Sequence, residues 1–90
     1  MSDEKIEFGT HIVFRPGPPK PKTKTWFIIN KYKECSIGWI GWFGRWHTYS
    51  FYPAPYTVFE KVCLREIAEF CERKTAERRK EKLNEKQTSR

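Results

Sequence analysis

Aromatic and β-branched residues gather in three short runs in the middle of this chain, each bounded by polar or glycine-containing turns. The runs span residues 25–32, 37–43 and 46–52. Runs of this composition are typical of β-strands, and connections of about four and two residues have hairpin length. The pattern therefore predicts a three-stranded antiparallel meander. Pro53 ends the third strand, because proline lacks the backbone donor that a ladder needs.

A different spacing follows the third run and predicts a helix. Thr57 and Glu60 match the capping-box pattern, so the helix is expected to begin at Thr57. Apolar residues then recur at steps of three and four and form one helix face, made of Phe59, Val62, Cys63, Ile67, Phe70 and Cys71. From Glu72 onward basic residues replace this stripe, and the helix is expected to run into solvent or to fray.

Two segments precede the meander. Residues 5–14 alternate imperfectly between apolar and polar positions and could form an extra strand, with Gly9 as a bulge or break. Residues 15–24 hold four prolines and four basic residues, which predicts an extended arm or linker. The predicted fold is α+β, with an N-terminal segment (1–14), an arm (15–24), a βββα core (25–74) and a charged tail (75–90).

Strand alternation divides the aromatic residues of the second and third runs between two faces. One face is expected to lie under the helix and carries Ile40, Trp42, Tyr49 and Phe51. The other face holds more small and polar residues and also includes Tyr52, and Trp39, Phe43 and Trp46 are the aromatic residues expected to be uncovered there. One helix covers one side of a sheet, so the second face is left to the N-terminal segment, to a partner or to a second copy of the chain. Gly38 and Gly41 are interpreted as relieving crowding among the tryptophans.

Charge adds a hypothesis about function. The 90 residues carry a net charge of +7, and residues 15–33 hold six basic residues and no acidic one. Such clusters favour phosphate backbones or acidic protein surfaces as partners, although they can also serve solubility alone. Bases stack on aromatic rings while Lys and Arg contact phosphates. The pattern therefore predicts a nucleic-acid-binding surface formed by Trp39, Phe43, Trp46, Arg45, Lys20, Lys22, Lys24 and Lys31.

Catalysis and metal binding find little support in the residue pattern. His11 and His47 lie in strand-like contexts without a nucleophile-and-base arrangement around them. Cys63 and Cys71 are about 12 Å apart along a helix, which is too far for a disulfide, and no Cys-x-x-Cys pair anchors a zinc site. We therefore expect a non-enzymatic protein without a cofactor or metal, whose cysteines pack as apolar residues.

The same composition points to the cytoplasm. No stretch of 18 apolar residues exists that could cross a membrane, and the acidic residues at the start of the chain do not match a signal peptide. Three cysteines also fit a reducing compartment better than a secreted disulfide framework.

Residues 22–70 resemble small, largely uncharacterised proteins of tailed bacteriophages and related mobile elements. The matching residues are Lys22-Thr23-Lys24, Gly38-x-Ile40-x-Trp42, Trp46-x-x-Tyr49-x-Phe51-x-Pro53, Thr57-x-Phe59 and Cys63-Leu64-x-x-Ile67-x-x-Phe70. The resemblance implies a phage accessory role in the infected bacterial cytoplasm. It brings no dependable activity, catalytic residue or cofactor with it. The order of elements, three antiparallel strands and then a helix, is also similar to the DNA-binding domains of some integrases and plant transcription factors, which place the sheet in the major groove. The middle strands of this chain carry Trp and Gly where those domains carry several Arg.

Two functions remain open from these observations. The first is nucleic-acid binding through the aromatic face and the basic arm. The second is a protein-binding inhibitor or adaptor that blocks a bacterial host defence complex, in the manner of an anti-CRISPR protein. Salt dependence separates them, because counterion release makes nucleic-acid binding weaken steeply with salt.

Overall fold

The protein is a five-stranded sheet with one helix packed on it. The computed structural model describes residues 5–18, 20 and 22–88, with helix side chains described as far as Glu81. The elements are β1 (Glu7–Phe8), β2 (Ile12–Pro16), β3 (Trp26–Asn30), β4 (Ser36–Phe43), β5 (Thr48–Pro53) and α1 (Lys61–Thr88). Each strand pairs antiparallel with the next, in the order β1-β2-β3-β4-β5. The α+β class, the meander and the C-terminal helix are confirmed, but the sheet has five strands rather than three.

The two additional strands come from the region before the predicted meander. Gly9 breaks the first segment, as expected, because its N–H donates to the Ile12 carbonyl (2.8 Å) and closes a turn between β1 and β2. β2 then continues through Arg15 and Pro16, the first two residues of the predicted arm, since both pair with β3. The described residues between Gly17 and Thr25 connect the two strands. Residues 1–4 of the predicted N-terminal segment and 89–90 of the predicted tail lie outside the described residues.

The core lies between α1 and one face of the sheet, called here the inner face. Its buried apolar members are Ile12, Phe14, Trp26, Ile28, Ile40, Tyr49, Cys63, Ile67 and Phe70. Phe70 of α1 stacks on Phe14 with ring centroids 4.2 Å apart and meets Trp26 edge-on at 5.1 Å. Trp42 and Phe51 are partly buried against this cluster. The predicted helix-covered face of β4 and β5 is therefore confirmed.

Of the two glycines of β4, Gly41 makes room for a tryptophan, as predicted, whereas Gly38 makes room for a phenylalanine. A side chain at Gly38 would overlap the Phe51 ring on the inner face, and one at Gly41 would overlap the Trp39 indole on the opposite face. Each glycine therefore makes room for a large ring of a neighbouring residue.

The helix begins at Lys61, four residues after Thr57, where the capping box predicted its start. Thr57 donates its hydroxyl to the Ala54 carbonyl (2.8 Å), a turn contact rather than a helix cap. Glu60 caps instead, because its carboxylate accepts from the N–H of Cys63 (2.7 Å) and its carbonyl accepts from Leu64 (3.1 Å). The N–H of Cys63 also holds the pKa of the Glu60 carboxyl below its usual range. The prediction that Thr57 starts the helix is therefore wrong.

The buried side of α1 does not end at Cys71. Lys74 and Thr75 are also buried, and Arg78 reaches the inner face. The Thr75 hydroxyl accepts from the backbone N–H of Tyr49 (3.0 Å), which lies on the outermost strand, and donates to the Cys71 carbonyl (2.7 Å). α1 thus continues along the sheet with polar residues in place of apolar ones. Through Thr75, α1 accepts a hydrogen bond from one N–H group on the free edge of β5, an edge at which another chain could otherwise pair.

Two polar contacts fasten the first hairpin to α1. Glu66 accepts from both the N–H (3.0 Å) and the hydroxyl (2.7 Å) of Thr10. Arg73 donates to both carboxylate oxygens of Glu7 at 2.8 and 3.0 Å. The Arg73 guanidinium holds the pKa of the Glu7 carboxyl below its usual range, against the opposing effect of burial, and Lys74 acts in the same direction. In the part of the chain that the structure describes, no helix has the length and apolarity needed to cross a membrane.

Candidate functional site

The face of the sheet turned away from α1, called here the outer face, carries a row of aromatic side chains. Phe27, Trp39 and Tyr52 lie side by side on β3, β4 and β5, and Arg15 on β2 continues the same row. We call the three rings the aromatic row. The Trp39 and Tyr52 rings stack in parallel, with centroids 4.0 Å apart and planes inclined by 6°. Trp39 is 38% exposed and Phe27 is 37% exposed, so both offer ring surface to a ligand.

Glycines next to the row decide how its rings lie. The Trp39 indole leans over Gly41, where a side chain would occupy the same space. The Phe27 ring approaches Gly17, whose missing Cβ would stand 3.1 Å from the ring edge. The rings therefore lie close to the sheet backbone.

An apolar strip borders the aromatic row on one side. Phe8, Val13 and Ile29 form the adjacent row across β1, β2 and β3. Phe8 is 70% exposed, and Val13 and Ile29 are half-buried. The outer face thus joins an aromatic part that can stack on flat rings with a second part that offers only apolar contact.

The β4–β5 turn adds a further aromatic pair. Phe43 ends β4 and meets the Trp46 ring edge-on, with centroids 5.0 Å apart. Trp46 is 70% exposed and belongs to the turn Gly44–His47, not to the third predicted strand, which begins only at Thr48. The turn therefore has four residues rather than the predicted two. His47 completes it, with a positive φ of 53° and an N–H that donates to the Gly44 carbonyl (3.2 Å). Arg45 is exposed in the same turn.

Two of the predicted basic residues lie at the same end of the sheet as this turn. β3 and β4 are antiparallel, so the β2–β3 connection and the β4–β5 turn share one end of the sheet, called here the loop end. Lys20 and Lys22 are exposed in the β2–β3 connection. Together with Arg45 they place three cations at the loop end. The aromatic row and these cations are the candidate site.

The other two predicted basic residues lie elsewhere. Lys24 turns toward α1, where its ammonium lies 4.0 Å from Glu81 and its backbone N–H donates to the Tyr49 hydroxyl (3.1 Å). Lys31 is at the opposite end of β3, where its ammonium donates to the Gly9 carbonyl (3.2 Å). The sequence grouped both with Trp39 because it showed basic residues close in order, whereas the antiparallel path of β3 separates their positions in space.

Three residues of the outer face were not singled out from the sequence. Arg15 was assigned to the arm, and Phe27 lay in a run to which no face was assigned. Tyr52 shares the strand alternation of Thr48 and Ser50, and that signal places it beside Trp39 once β4 and β5 are paired. Pairing of β3 with β2 and β4 is what brings Arg15 and Phe27 into the row.

The described cysteines and acidic residues do not form a metal cluster. Burial raises the pKa of the Cys71 thiol to about 11 and also raises that of Cys63, which favours unreactive thiols. Cys35 is exposed in the β3–β4 turn. Within residues 5–18, 20 and 22–88, no three His, Cys, Asp or Glu side chains lie where they could hold a metal ion.

Comparison with known proteins identifies one informative relative. The chain is 31% identical over 61 residues to an uncharacterised 9.3 kDa protein of Acholeplasma phage L2, and the aligned part covers 68% of this chain and 78% of the phage protein. No protein-family model and no solved structure matches the chain. The chain belongs to the same family as this small phage protein.

Proposed function

We propose that this member of a small phage protein family binds single-stranded nucleic acid through the outer face of its sheet, in the cytoplasm of the infected bacterium. The observation that carries the proposal is the aromatic row, in which three rings on three adjacent strands are aligned with Arg15. A sheet that presents several rings on one uncovered face is a common platform for stacking unpaired bases.

The chemistry of the row favours a single strand over a duplex. Stacking requires access to the flat face of a base, and in a duplex those faces are covered by the neighbouring base pairs. Unpaired bases expose them, and each base stacked on an aromatic ring contributes about 1–3 kcal/mol of binding free energy. Arg15 can add either a stacking surface or a phosphate contact at the edge of the row.

The charge distribution supports the same ligand. Lys20, Lys22 and Arg45 lie at the loop end of the sheet, the end that also carries Phe43 and Trp46. A strand whose bases lie along the aromatic row can direct its phosphates toward these cations. The net charge of +7 further raises the local concentration of any polyanion.

Fluorescence anisotropy with a labelled oligothymidylate and a duplex of equal length tests the proposal. We expect tighter binding of the single strand, and Trp39→Ala should weaken it about 5- to 150-fold through loss of one stacked base. Tyr56→Ala is the matched control, because Tyr56 is a fully exposed aromatic in the β5–α1 connection, away from the outer face. Equal affinity of the two variants, or tighter binding of the duplex, contradicts the proposal.

A charge series sharpens this test. Replacing Lys20 and Lys22 with Gln should reduce the dependence of log K on log salt by up to about 1.4, the value for two phosphate contacts on a single strand. Lys33 and Lys61 are exposed at the opposite end of the molecule and carry the same charge. Their double Gln variant should leave the slope close to that of the unchanged protein.

Protein binding is the alternative that one specific observation favours. The strip of Phe8, Val13 and Ile29 is apolar and includes a ring that is 70% exposed, which suits a host protein surface better than a nucleic acid. A partner of this kind, such as a defence complex, should be recovered from infected lysate even after nuclease treatment. Its binding should depend weakly on salt and should be lost with Phe8→Ser.

A further inference from the structure

A small cavity lies between α1 and the inner face, at the loop end of the sheet. Trp26 of β3 and Tyr49 of β5 form its sheet side, and Lys74 and Arg78 form part of its helix side. Its volume is about 200 Å³, part of which is open to solvent, and the interior has room for about one water-sized group. The cavity is thus small, partly enclosed and built on rigid elements.

Two buried hydrogen-bond donors belong to residues that line this cavity. The indole nitrogen Nε1 of Trp26 and the Nε of Arg78 are both buried and have no protein acceptor, and they are the two such side-chain atoms in the part of the chain that the structure describes. Buried polar groups in folded proteins are almost always paired, because an unpaired one loses its bonds to water without replacement. Both unpaired donors thus belong to residues that line the same cavity.

The chemistry of these two groups restricts the missing partner. An indole N–H and a guanidinium N–H can only donate, so the partner must offer lone pairs. A metal cation or an ammonium group cannot serve. A neutral water and an anion both can, and the surrounding charge chooses between them.

The charge around the cavity is positive overall. Three cationic side chains line it, Lys24, Lys74 and Arg78, against the two carboxylates of Glu77 and Glu81. The carboxylates already face cations, since Glu77 lies 3.4 Å from Lys74 and Glu81 lies 4.0 Å from Lys24. Lys74 also lies 3.6 Å from Glu7, a carboxylate outside the cavity lining that is paired with Arg73 as well.

Aromatic rings hold two of these cations in place. Lys74, only 7% exposed, lies 5.4 Å from the ring centroid of Trp26. The guanidinium of Arg78 lies 4.2 Å over the Trp42 ring. Both positive charges are therefore held against rings of the inner face rather than extended into solvent.

We propose that this cavity is an anion site that takes one anionic atom, either a chloride ion or one oxygen of a phosphate group, with Trp26 and Arg78 as its donors. The site is on the opposite side of the sheet from the aromatic row. It therefore stands independently of nucleic-acid binding by the outer face. Inorganic phosphate and chloride are the probes that distinguish the two sources of the anionic atom.

Proton–nitrogen NMR of the full chain observes both donors directly. The indole N–H of Trp26 and the Nε–H of Arg78 give separate signals, which are followed while sodium chloride or sodium phosphate replaces a bulky organic sodium salt at constant ionic strength. We expect both signals to move together along one saturating curve, while the exposed Trp46 and Arg45 signals stay nearly constant. Saturation with phosphate alone assigns the site to a phosphate oxygen, and saturation with chloride assigns it to a single-atom anion.

Conservative variants test the assignment of donors. Arg78→Lys keeps the charge but removes the Nε–H, and should weaken the anion response of Trp26 about tenfold or more. Arg79→Lys makes the same change at the next, exposed position of α1 and should have no effect. If neither anion moves the Trp26 and Arg78 signals, or if they drift linearly and equally with Trp46 and Arg45, the cavity holds water only and the proposal is overturned. An unchanged response in Arg78→Lys overturns it as well.

Discussion

Both faces of the sheet carry large aromatic side chains, yet they differ in what lies over them. On the inner face Trp26 is 1% exposed beneath α1, whereas on the outer face the adjacent Phe27 is 37% exposed. The difference does not come from hydrophobicity, because the two residues are neighbours in one strand and both are aromatic. It comes from the single helix, which has one buried side and covers one face. Aromatic content alone therefore does not distinguish a core from a binding surface in this protein.

The largest expected effect tests this contrast in packing. Phe70→Ala should reduce the free energy of unfolding by about 3–5 kcal/mol, because its ring fills the space between Phe14 and Trp26. Phe27→Ala on the outer face should cost only about 1–2 kcal/mol, since part of its surface is exposed already. Urea denaturation of both variants measures the difference. Equal losses would show that the outer face is covered as thoroughly as the inner one.

A smaller effect tests the polar continuation of the buried helix side. Thr75→Val keeps the shape of the side chain but leaves the N–H of Tyr49 without its acceptor, which should cost about 1–3 kcal/mol. Thr48→Val removes only the partner hydroxyl, 3.0 Å from that of Thr75, and should cost less. If Thr48→Val lowered the free energy of unfolding more than Thr75→Val in the same denaturation experiment, the hydrogen bond from Tyr49 to Thr75 would not be the main stabilising contact here.

The pH dependence of stability tests the contact between the first hairpin and α1. The pKa of Glu7 is lowered in the folded protein, mainly by the Arg73 hydrogen bond, so this contact stabilises the fold fully above the unfolded pKa of about 4.3. The contribution is lost as the pH falls below that value toward the folded pKa. At neutral pH a double-mutant cycle of Glu7→Gln and Arg73→Gln should give a coupling of about 0.5–1 kcal/mol, because the pair is partly exposed.

Acid denaturation of Glu7→Gln should accordingly be less steep than that of the unchanged protein. Glu69→Gln, which alters an exposed carboxylate on α1, serves as the control and should follow the unchanged protein. Identical acid transitions for all three proteins would mean that the first hairpin does not depend on Glu7.

Thiol labelling tests the same contrast between buried and exposed positions without changing the sequence. Cys35 should react rapidly with a thiol reagent at pH 8, because it is exposed in a turn. Cys71 should react slowly, since burial raises its thiol pKa to about 11, and buried Cys63 should behave likewise. Three fast thiols in the native protein would show that α1 leaves the sheet readily.

The sequence predicted local features well where one residue type had one physical consequence. Alternation in β4 assigned Ile40 to the core and Trp39 to the opposite face, and Gly41 was interpreted correctly as leaving room for a tryptophan ring. Prediction was wrong where two local patterns competed. The capping-box pattern assigned the cap to Thr57, but the Thr57 hydroxyl is used in the turn that closes on Ala54, and Glu60 caps the helix instead.

The candidate site was predictable only in part for the same reason. Trp39 was found from alternation, but Phe27 and Arg15 join it through strand pairing between distant parts of the chain. Lys24, in contrast, was assigned to the candidate site from the sequence and does not belong to it. It lies next to Lys20 and Lys22 in order, yet its side chain lies on the helix side of the sheet beside Glu81.

By itself, the sequence determined the class of the fold, the antiparallel meander, the C-terminal helix and the division of β4 and β5 into two faces. These follow from periodicity and turn composition, which act between residues close in the chain. Only the tertiary structure decided that residues 5–16 add two strands and that Lys74, Thr75 and Arg78 replace apolar residues on the buried side of α1. The sequence around a polar residue does not indicate whether its side chain is buried. Burial of such a side chain depends on an aromatic ring or a hydrogen-bond acceptor that another element supplies.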